Sequence, residues 1–77
     1  MTESRKLFHD ELSELCRDIM RLGAMAEEAI EAATAALLDA DLAAVERVVA
    51  GDRQLDELTH DLESRTYMLL ARQQPMA

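Results

Sequence analysis

The sequence predicts an all-α fold: an antiparallel hairpin of two long helices that reads as a truncated three-helix bundle. Three observations predict it. Apolar residues recur in alternating steps of four and three from Phe8 onward, which is the spacing of a helical seam. A single strong break, Asp39-Ala40-Asp41, divides that pattern. Two Gly, one Pro and an aromatic content of 3% against 49% hydrophobic residues describe a chain built on Leu, Ala and Met.

The first element follows from Phe8, Leu12, Leu15, Ile19, Leu22, Ala26, Ala29, Ala33 and Ala36, a coiled-coil-like stripe over about Ser4 to Leu38. Met20, Ile30, Leu37 and Leu38 widen it, so this helix has apolar surface for more than one neighbour. Arg17, Asp18, Glu27, Glu28 and Glu31 fall mostly off the stripe and are assigned to a solvated face. Cys16, the one cysteine, sits beside Leu15 and Ile19 and is expected to be a small core residue; it can form no internal disulfide. Ala-rich sequence in the second half favours helix and lets a neighbouring backbone come close, while Gly23, costly in a helix interior, suggests a close approach there.

Asp41 is a good N-cap, since its carboxylate can accept free amide hydrogens of the next helix's first turn. So short a connection makes the two helices antiparallel. The second helix, about Leu42 to Arg72, carries Val48, Leu55, Leu62, Thr66 and Leu69 as its apolar stripe. Gln74 precedes Pro75 and is pushed out of helical geometry, so Gln73-Gln74-Pro75 reads as the lead into a third helix that these residues do not contain. Two helices with wide apolar faces do not enclose a core, so the chain is expected to be the front part of a longer protein or to pair with another copy.

The candidate site lies on the second helix. At about 100° per residue, Asp52, Asp56, Thr59 and Glu63 fall within roughly 60° of one another, in a row beside the apolar stripe. Carboxylates at i, i+4 have Cβ atoms about 5–6 Å apart, so one cation can meet both, and without it they repel. A solvated acidic face is the plain alternative. Asp61, about 140° from Asp56, marks where the helix places an acid meant only for solvent.

A formal net charge of −8 opposes direct binding to nucleic-acid backbones or anionic membrane surfaces. No apolar run resembles a signal peptide or a span of about 20 residues, so a cytoplasmic protein without membrane insertion is expected. Neither a nucleophile triad nor a glycine-rich phosphate loop is present, which leaves hydrolase and nucleotide-binding readings unsupported.

Four stretches, Phe8-His9-Asp10-Glu11-Leu12, Ala36-Leu37-Leu38-Asp39-Ala40-Asp41, Asp52-Arg53-Gln54-Leu55-Asp56 and Leu69-Leu70-Ala71-Arg72-Gln73-Gln74-Pro75-Met76-Ala77, make the chain resemble the N-terminal part of the PhoU family. The resemblance implies that residues 1–77 are part of one three-helix repeat of a protein that has two. It further implies a regulator and adaptor, not an enzyme, that restrains phosphate uptake and phosphate-starvation signalling. Its partners would be a phosphate-specific ABC transporter and a PhoR-type sensor kinase. The family's acidic metal signature, four residues apart, matches Asp52 and Asp56; its third-helix counterpart has no match here. A divalent or multinuclear metal (Mg, Mn, Fe or Zn), held weakly by this fragment, follows from the resemblance. Glu63 and Thr59 join the row by geometry alone.

Two other readings compete. Glu57-Leu58-Thr59-His60 has the Glu-x-x-His spacing of ferritin-like di-metal oxidoreductases, but Glu57 points away from both the row and the apolar stripe. A structural coiled-coil or self-association module without metal needs only the apolar stripes.

Overall fold

The computed structural model describes residues 2–73; the expected lead into a third helix at Gln74 and Pro75 lies outside the described residues. Two α-helices make up the structure, α1 over Thr2–Leu38 and α2 over Leu42–Gln73, with no strand among the described residues. At 1.5 Å per residue α1 is about 55 Å long, and the molecule measures 58 × 20 × 13 Å. Its radius of gyration of 17.7 Å well exceeds the ~11–12 Å of a compact domain of this length.

The turn is specified residue by residue. Ala40 has φ = 51°, the left-handed conformation that closes many helices. Its amide donates to the Leu37 carbonyl (3.2 Å) and the Asp41 amide to the Ala36 carbonyl (3.0 Å), a Schellman pair that satisfies the last carbonyls of α1. Asp41 then begins α2. Its Oδ1 accepts the Ala44 amide hydrogen (3.1 Å) and its carbonyl that of Val45 (3.0 Å), so one residue ends one helix and caps the next.

The core is narrow. Leu15, Leu62 and Leu69 are buried to 5–6% exposure, with Phe8, Leu12, Leu22 and Leu58 packed around them, and Ala36 (2%) closes the turn end. Contact is therefore made by the Leu15-Leu22-Ala29-Ala36 side of the α1 stripe. The other side, carrying Ile19, Ile30 and Leu37, stays open.

Beyond this core the hairpin has two unlike edges. On the first, Arg65 Nη1 donates to Asp18 Oδ2 across the helices (2.8 Å) and to Asp61 Oδ2 within α2 (3.0 Å), and Arg72 pairs with Glu11. The two carboxylates push the Arg65 guanidinium further above its already high ordinary range, the hydrogen bond to Asp18 contributing most. On the second edge, Ile19, Leu22, Thr59, Glu63, Tyr67 and Leu70 line an open groove of about 370 Å³.

Four expectations are corrected. Cys16 is exposed, because it lies beyond Ile19 on the uncovered side of the stripe. Asp18 is not on a solvated face but half-buried against Arg65, since the α1 contact direction is rotated toward it. Asp61 is not left to solvent alone; it accepts a hydrogen bond from Arg65 one turn away. Gly23 has nothing within 4 Å of where a Cβ would stand, so no neighbour requires a glycine there.

Candidate metal centre

Asp52 and Asp56 lie one turn apart on α2, and their position follows from the groove of the second edge. Thr59, Glu63, Tyr67 and Leu70 line it, and helical spacing of three and four continues that row back through Asp56 and Asp52. The acidic row thus shares its edge with the uncovered apolar residues. On α1 these are Ile19, Ile30 and Leu37; on α2, Val49, Tyr67 and Leu70.

Within the hairpin Asp52, Asp56 and Glu63 are exposed and Thr59 is half-buried. The Thr59 hydroxyl donates back to the Leu55 carbonyl (2.8 Å), which directs its proton into its own helix. Glu63 is two turns from Asp56 along the helix, about 10 Å, too far for both to bind one ion directly. Among the described residues no three His, Cys, Asp or Glu side chains converge as a metal cage.

The donor set nonetheless suits a hard cation. Two carboxylates at i, i+4 offer at most four oxygens, where Ca²⁺ takes about 6–8 and Mg²⁺ six with waters included. A cation at this pair would therefore find at most about half a coordination shell in the hairpin. Glu57 and His60 are both exposed, and no third ligand accompanies them among the described residues. Charge is also sorted between the edges, which the sequence did not disclose: the cross-helix arginine pairs occupy the first edge, and among the described residues Asp52 and Asp56 make no ion pair. Only the rotation of the two helices about their contact makes that sorting visible. No helix among the described residues is long and apolar enough to cross a membrane.

Comparison with known proteins adds an independent line. Residues 19–77 match the PhoU domain. Over its whole length the chain is 37% identical to a protein of Caulobacter vibrioides called phosphate-specific transport system accessory protein PhoU homolog, of which it covers 34%. Over 95% of its length it is 37% identical to PhoU homolog 2 of Mycobacterium tuberculosis, covering 34% of that protein. Over 91% it is 33% identical to the Rhizobium meliloti homolog, covering 30%. The chain spans about a third of the length of the curated relatives it matches, and no solved structure matches it. With the domain match extending over most of its residues, the chain belongs to the PhoU family.

Proposed function

We propose that the chain is the first part of a PhoU-type accessory protein of a phosphate transport system, an adaptor that restrains phosphate uptake and phosphate-starvation signalling through protein contacts. It has no catalytic role. A phosphate-specific ABC transporter and a PhoR-type sensor kinase are the partners, on the cytoplasmic side of the membrane. Asp52 and Asp56 supply two carboxylate ligands to a divalent or multinuclear metal, with the remaining ligands coming from outside the hairpin.

The observation that carries this reading is the coincidence on one edge of an i, i+4 carboxylate pair and an uncovered apolar stripe. An acidic row next to exposed Ile30 and Leu37 is poorly suited to a purely solvated surface. Whatever covers the apolar residues brings its own groups up to the carboxylates, and a cation between them removes the repulsion that burial would otherwise aggravate. Metal and packing would then be coupled, as in sites where binding contributes folding energy.

Thermal unfolding with and without Mg²⁺ or Mn²⁺ tests this reading. The transition of the chain should rise on adding the ion, weakly in these 77 residues and more strongly in a longer form of the protein. Asp52→Asn with Asp56→Asn should abolish the rise. An unchanged transition in both forms would favour the module without metal, for which the uncovered apolar edge argues separately; sedimentation should then show self-association independent of ions.

A further inference from the structure

We draw no further inference here: the strongest candidate, the open apolar groove along the second edge between Ile19 and Leu22 of α1 and Tyr67 and Leu70 of α2, carries nothing because nothing in the structure shows what covers it, whether the rest of a longer protein, a second copy or another chain.

Discussion

Arg65 of α2 reaches across the hairpin to Asp18 of α1, Nη1 to Oδ2 at 2.8 Å, on the edge opposite the row that carries Asp52 and Asp56. With Arg65 and Arg72 committed to α1 acids on one side, the opposite side holds an acidic row, uncovered apolar residues and no cross-helix ion pair among the described residues.

Arg65→Gln should lower the unfolding midpoint modestly, and the difference between variant and parent should shrink as salt is added, because a pair this open to water is screened. The pH dependence has a definite sign. The folded state raises the Arg65 pKa, so its contribution is complete below the unfolded value and is lost only as pH climbs through the folded one. Both lie in strongly alkaline solution. Arg65 itself should therefore contribute no pH dependence across the neutral range, which urea titrations at several pH values check.

Leu62→Ala removes one of three buried leucines and should cost about 2–5 kcal/mol, enough to unfold so small a protein. Leu38→Ala, at a side chain 81% exposed, should change stability by less than about 0.5 kcal/mol in the isolated chain. Chemical denaturation of the two variants should separate them clearly. Equal effects would mean that the uncovered side of α1 is in fact packed.

At the turn two substitutions should act in opposite directions. Ala40→Gly relieves a left-handed conformation that costs a residue with a Cβ about 1–2 kcal/mol, offset in part by the greater freedom of the unfolded chain. A gain of about 0.5–1 kcal/mol is expected. Asp41→Ala removes the cap on the Ala44 amide and should cost about 1 kcal/mol. Thermal denaturation at matched concentration reads both.

The hairpin was legible because its signals are local. Steps of four and three on either side of Asp39-Ala40-Asp41 leave few arrangements, and Asp41 has the chemistry of a cap wherever the helices point. The Asp61–Arg65 pair, four residues apart on one helix, was open to reading from spacing, whereas the roles of Asp18 and Cys16 depend on something less local. The α1 stripe is wide enough, from Ala36 round to Met20, for α2 to cover either side of it. Periodicity alone does not say which side is taken. Once the Leu15 side is covered, Asp18 becomes a partner for Arg65, and Ile19 and Cys16 fall outside the contact. That Asp52 and Asp56 share one face of α2 was legible from spacing, whereas the groove that Arg21, Ala29 and Ala32 of α1 line with Arg47 and Gly51 of α2 was not, because it depends on both helices together.

The most direct test of the Asp52–Asp56 site is paramagnetic broadening by Mn²⁺ in the ¹⁵N-correlated spectrum of the chain. Substoichiometric Mn²⁺ should bleach amides around Asp52 and Asp56 first, then those of Ala26 and Ile30 on the same edge of α1, and Asp52→Asn with Asp56→Asn should restore them. Broadening spread evenly over all acidic residues, or centred on Asp18 and Asp61, would contradict a metal site on this edge and return the acidic row to a solvated face.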